Sequence, residues 1–79
     1  MSNFAYFDAN RTQHMVSEAS VNFAGTWSSS GTYSAANLDA VVYGNGTYVA
    51  IIDNVGGNPT TPARRNRPAK WSPLVQFTR

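Results

Sequence analysis

The sequence predicts an all-β fold, a small antiparallel module built on a central hairpin and preceded by an extended N-terminal arm. Three observations carry that reading. No window sustains the i, i+3, i+4, i+7 apolar spacing of an amphipathic helix. Gly, Pro, Ser, Thr and Asn punctuate the chain from Gly25 onward at short intervals. Two β-rich runs, Asp39–Tyr43 and Thr47–Ile52, flank Gly44-Asn45-Gly46, residues that accept the positive φ a tight hairpin turn requires.

The elements follow in order. Residues 1–24 contain no Gly or Pro, and Phe4, Tyr6, Phe7, Met15, Val16, Val21 and Phe23 are apolar at spacings that fit no single regular element. This stretch reads as an arm lying on a partner or as edge strands completing the domain's own core. Within it, Ala19, Val21 and Phe23 alternate with polar residues, which predicts a strand over Ser17–Ala24. Residues 25–79 form the β domain proper. After the hairpin, the Gly and Pro of residues 53–62 interrupt any strand. A basic loop, Ala63 to Lys70, then leads to a short final strand at Trp71-Ser72-Pro73-Leu74-Val75. Pro73, which has no amide proton, confines that strand to an edge.

Seventy-nine residues make one small domain, and a chain of this size buries only about 60 % of its unfolded surface. With no cysteine and one histidine, neither disulfides nor a thiolate or multi-histidine metal site can stabilise it, and no cofactor is expected. An aromatic core or partner subunits must do so. Aromatic and charged residues each make up 13 %, the latter about half the usual share, which suits a chain packed against other chains or against sugar. No apolar run approaches the ~20 residues of a membrane span, and no signal peptide is expected at the N-terminus. The formal charge of +2 is uneven. Arg11, Asp8, Glu18, Asp39 and Asp53 sum to −3, whereas Arg64, Arg65, Arg67, Lys70 and Arg79 sum to +5. Such an asymmetry allows head-to-tail contact between copies or contact with an acidic neighbour, and equally describes a solvated loop.

Catalysis is not expected. Asp39 and Asp53 could suggest a carboxylate pair for glycoside hydrolysis, but they fit turn and strand-end roles, and so short a chain can hardly wall a cleft. His14 has no second histidine or cysteine to work with. The Arg64–Lys70 cluster is short, bracketed by prolines and free of interleaved aromatics, so nucleic acid is not an expected partner.

With these elements placed, the order Trp27, Tyr33, Val41 with Tyr43, Gly46-Thr47-Tyr48-Val49-Ala50, Gly57-Asn58-Pro59 and Trp71-Ser72-Pro73-Leu74 resembles the small chitin- and cellulose-binding module, over residues 25–75. The same pattern resembles modules common in bacteriophage tail-fibre and other virion proteins. The resemblance implies a compact β fold and a binding role. In sugar-binding members a pair of exposed aromatics follows the Tyr-x-Ala strand, where this chain has Ile51-Ile52-Asp53-Asn54. Flat rings stack on sugars far better than aliphatic chains do. The expectation is therefore a non-enzymatic virion structural protein, a capsid decoration protein or small tail component. Its partners would be a major capsid protein and copies of itself, reached through Phe4, Tyr6, Phe7, Arg64, Arg65 and Arg67. The alternative is a module binding chitin or host-surface glycan through Trp27 and Tyr33. The bland reading of Trp27, Tyr33, Tyr48 and Trp71 is that they form the core.

Overall fold

In the computed structural model the described residues are 3–61, 65 and 68–77, and they form an all-β molecule. Its strands are β1 (Asn3–Phe7), β2 (Gln13–Ser17), β3 (Asn22–Thr26), β4 (Thr32–Tyr33), β5 (Asp39–Tyr43), β6 (Gly46–Ala50), β7 (Asn54–Val55), β8 (Trp71–Pro73) and β9 (Val75–Phe77). They assemble into a four-stranded sheet ordered β3-β5-β6-β8, a three-stranded sheet ordered β2-β1-β9, and a two-stranded ribbon of β4 and β7.

The expected hairpin is the centre of the molecule. β5 and β6 pair antiparallel, with Tyr43 opposite Gly46, so Gly44 and Asn45 form the turn. Only Gly44 of these two adopts a positive φ, +59°, matching turns that place glycine at the first central position. The strands on either side read as a nearly continuous apolar run because both their faces are covered. Ala40 and Val49, a directly opposed pair, are 1 % and 0 % exposed on one face, while Val41 and Ala50 are 1 % exposed on the other. A sheet enclosed on both sides loses the polar half of the usual alternation. The edge role expected for Pro73 also holds, since β8 is the outer strand beyond β6.

Two apolar clusters therefore sandwich the central sheet. Phe4, Val21, Ala40, Val49 and Leu74 fill one side, with Tyr6, Val16, Leu38 and Ile51 packed around them. Tyr33, Val41, Ala50 and Trp71 fill the other, flanked by Trp27 and Tyr48. At roughly 1.5–3 kcal/mol for each fully buried large apolar side chain, two thin clusters take the place of the single thick core that so short a chain cannot build.

Asn3–Phe7 and Gln13–Ser17 are strands joined by a turn, and they pack within the domain, β2 at the edge of their sheet and β1 in its middle. β1 is the middle strand of its sheet, paired with β2 on one side and β9 on the other. Phe4 is 8 % exposed and belongs to the first cluster. The Phe7 amide also donates to Ser72 Oγ at 3.1 Å, tying β1 to β8. Residues 18–21 depart from the expected strand, while residues 22–24 lie in one. Glu18–Ser20 form a single turn of 3-10 helix, and the strand begins only at Asn22, with Val21 turned into the core. Alternation of small and apolar residues over so short a window did not distinguish the two. β3 then runs parallel to β5, with a register irregularity between Phe23 and Thr26 and Gly25 at φ +84°.

The β1–β2 connection is held by one carboxylate. Asp8 Oδ1 accepts the amides of Asn10 and Thr12 at 2.8 and 2.9 Å, and Oδ2 meets His14 Nε2 at 2.6 Å. The hydrogen bond from His14, followed by that from the Thr12 amide, holds the Asp8 carboxyl below its usual range. The sign follows directly. A depressed folded-state pKa contributes stability that is present above the usual carboxylate range and lost as pH falls through the depressed value. Thermal melting followed from about pH 5 down to pH 2 is expected to show the wild type losing stability relative to Asp8→Asn, with the difference vanishing at the acid end. Parallel curves for the two proteins would show that the clasp contributes nothing.

Candidate functional site

Two surfaces compete for a functional role, and the first is the aromatic end expected to face glycan. Gly57 lies at its centre. Its carbonyl accepts both indole N–H groups, from Trp27 and Trp71, each at 2.9 Å. Trp27 stands edge-on to Tyr43 at 5.2 Å and 89°, and Tyr33 meets Trp71 at 5.0 Å and 67°. Such edge-to-face contacts fix ring orientation beyond what burial alone supplies. The Gly57 amide in turn donates to Asn54 Oδ1, and Asn54 Nδ2 donates to the Ile52 carbonyl, so the loop positions its own acceptor. Asn58 Nδ2 donates to the Tyr43 hydroxyl, while Asn58 Oδ1 accepts from the amide and hydroxyl of Thr60.

This construction engages the rings expected to face sugar. Tyr33, expected to face sugar, sits on the two-residue strand β4 and is 5 % exposed. Its hydroxyl accepts the Ser28 amide at 2.9 Å, and its ring packs edge-on against Trp71 within the second cluster. Trp27 is half-buried, with its polar edge committed to Gly57. Trp71 is buried and Tyr48 half-buried in the second cluster. Among the described residues, the large exposed hydrophobics are Phe7, Met15, Phe23, Val42, Val55 and Val75, and no Trp or Tyr stands among them.

The second surface is the outer face of the β2-β1-β9 sheet. Strand alternation divides β1 cleanly, with Phe4 in the first core cluster and Tyr6 packed against it while Ala5 and Phe7 point away. Register places Met15 opposite Ala5 on one side and Val75 opposite Ala5 on the other, and Gln13 opposite Phe7. Phe7, Met15 and Val75 are 52 %, 59 % and 57 % exposed, whereas the small Ala5 between them is only 9 % exposed. The result is a depression of about 540 Å³ with Ala5 in its floor, lined by Phe7, Gln13, Met15, Pro73 and Val75. Gln13 is the only polar residue in that lining.

The residues expected to meet a partner therefore separate. Phe7 lies on the exposed face. Phe4 is enclosed in the core, a correction that follows from its lying on the opposite side of β1. Tyr6 is half-buried on the inner side and stacks on the His14 ring at 5.2 Å and 16°; burial, and then the nearby Asp8 charge, push its phenol pKa up. Arg65 is exposed, and Arg64 and Arg67 lie outside the described residues.

Ala5, Gln13, Met15, Pro73 and Val75 are the members of the face that the sequence did not assign to a site. The available signal was the period of two in Ala5-x-Phe7 and Gln13-x-Met15. It was masked because the alternate positions Phe4, Tyr6 and Val16 are apolar as well. No cluster of His, Asp or Glu suited to a metal ion occurs among the described residues. Asp39, buried at the start of β5, is engaged structurally, accepting Asn22 Nδ2 at 2.6 Å and the Ser34 amide at 2.8 Å. Asp53 Oδ1 accepts the Ala35 amide. No family model, curated protein or solved structure matches the chain.

Proposed function

We propose that this chain is a non-enzymatic assembly module, a structural component of a virion such as a capsid decoration protein or small tail component, that docks through the outer face of its β2-β1-β9 sheet. The observation that carries the docking role is the uncharged apolar face around Ala5, with three large side chains each more than half exposed. A depression walled by exposed apolar side chains is a form that contact surfaces take. The virion setting draws on the sequence resemblance to modules of phage virion proteins, together with the low charge of the chain. The glycan reading loses support, because Tyr33 is buried and Trp27 is engaged by its own loop.

The test is association with particles. Wild-type chain is expected to travel with purified particles through a density gradient at a fixed copy number. Met15→Arg, which places a charge in the apolar face at an exposed position, is expected to reduce occupancy at least tenfold while leaving the melting temperature nearly unchanged. Absence of the wild-type chain from particles, or saturable retention of the free chain on chitin, would remove the proposal.

A further inference from the structure

We propose that Asn45 is a self-modification site: its side-chain amide is lost through attack by the backbone nitrogen of Gly46, at a rate set by opening of the β5–β6 turn. Three observations meet there. Asn45 is the only one of the eight asparagines followed by glycine. A glycine has no side chain to shield its amide nitrogen, so this pair offers the least hindered approach in the chain. Asn45 is also exposed, at the apex of a two-residue turn and outside both strands.

The third observation is how the attacking group is held. The Val42 carbonyl accepts the Trp27 amide and the Thr47 carbonyl accepts the Leu74 amide, so this opposed pair points its backbone polar groups out of the hairpin. Alternation then turns Tyr43 and Gly46 toward each other as the closing hydrogen-bonded pair, with the Gly46 amide donating to the Tyr43 carbonyl. While that bond holds its proton, the nitrogen is a poor nucleophile. The Tyr48 ring also lies against Gly46, where an added Cβ would meet it at 3.2 Å. Fraying of this last pair frees the nitrogen, and hairpin ends open at the low end of local unfolding costs.

The chemistry balances with water alone. Gly46 N bonds to Asn45 Cγ, the Cγ–N bond of the side-chain amide breaks, and the displaced amide takes the Gly46 proton to leave as ammonia. Water opens the resulting succinimide at either carbonyl, and nothing is oxidised or reduced. One opening gives aspartate. The other gives isoaspartate, whose backbone is one atom longer. Each product lowers the formal charge of +2 by one. The longer backbone also enters a turn with no residue to spare, in the hairpin on which both apolar clusters pack.

The experiment incubates the full chain at neutral pH and physiological temperature and follows each asparagine by peptide mapping, with electron-transfer fragmentation to tell isoaspartate from aspartate. Conversion at residue 45 is expected to run several-fold faster than at any other asparagine and to give both products. It is expected to be about tenfold slower than in the same chain unfolded by urea, the protection that a local opening of modest cost supplies. Gly46→Ala puts a methyl group beside the attacking nitrogen, at a residue outside the left-handed region and against a ring that can shift. It is expected to slow conversion several-fold. Asn45→Gln, which would need a six-membered ring, is expected to do the same should Gly46→Ala disturb the hairpin. The isoaspartate form, separated by ion exchange, is expected to melt below Asn45→Asp. Conversion at residue 45 no faster than elsewhere, or undiminished in both variants, would overturn the site. Equal rates in the folded and unfolded chains would overturn its control by the turn.

Discussion

Trp71→Ala is expected to leave the chain largely unfolded at 25 °C. The side chain is 4 % exposed, packs edge-on against Tyr33 and donates its indole proton to Gly57. Truncating a buried tryptophan costs about 3–5 kcal/mol, and a single core in a domain of this size supplies about the same in total. Near-ultraviolet circular dichroism and urea titration would read the loss. Trp71→Phe separates the two contributions. It keeps most of the ring volume and removes the N–H, but the Gly57 carbonyl retains Trp27 as a donor. The phenylalanine variant is therefore expected to fold and to lose only about 1–2 kcal/mol. If the alanine variant unfolded at the wild-type urea midpoint, the second cluster would not be a determinant of the fold.

Gly56→Ala is expected to rank beside it, for a different reason. Gly56 has φ +63°, and a Cβ built there would lie 1.9 Å from the Ser29 carbonyl oxygen, a backbone atom that has no rotamer to change. The Gly56 amide also donates to the Gly31 carbonyl at 2.8 Å, so the two loops that would have to separate are hydrogen-bonded to each other. Left-handed backbone alone costs an alanine about 1–2 kcal/mol, and displacing a packed loop raises the sum to about 3 kcal/mol or more. Denaturant midpoints would read this cost. Gly44→Ala serves as the comparison, because at φ +59° its Cβ would meet nothing within 4 Å. It should cost only the conformational part. Equal losses at the two glycines would show that the contact with Ser29 is relieved cheaply.

The architecture was legible wherever one residue type forces one geometry. Gly44-Asn45-Gly46 identified the hairpin because few residues accept its turn, and Pro73 marked an edge because it cannot donate. The Gly and Pro of residues 53–62 announced that the preceding strand would not continue, but not that β7 (Asn54–Val55) would form within them, nor that the Gly57 carbonyl would receive two indoles fourteen and thirty residues away. Where local sequence is compatible with several partners, long-range pairing decided. Residues 3–7 are extended in any reading, and only their pairing with residues 75–77 places Phe4 inside and Phe7 outside. Tyr33 illustrates the same point. Its neighbours are polar, but its position opposite Asn54 on a two-residue ribbon turns the ring inward. The candidate face joins the neighbouring strands β1 and β2 to residues 73–75 near the other end of the chain, so period-two reading of any one segment shows only part of it.

The pairing of Asn3 with Phe77 brings the first and last described strands side by side in opposite directions. A polypeptide entering at one and leaving at the other would do so within about one strand spacing, roughly 5 Å. A unit with that geometry can be spliced into a surface loop of a host protein without prising the host apart. Pulled from both ends, it would open like a zipper, one hydrogen-bonded pair at a time, rather than resist in shear.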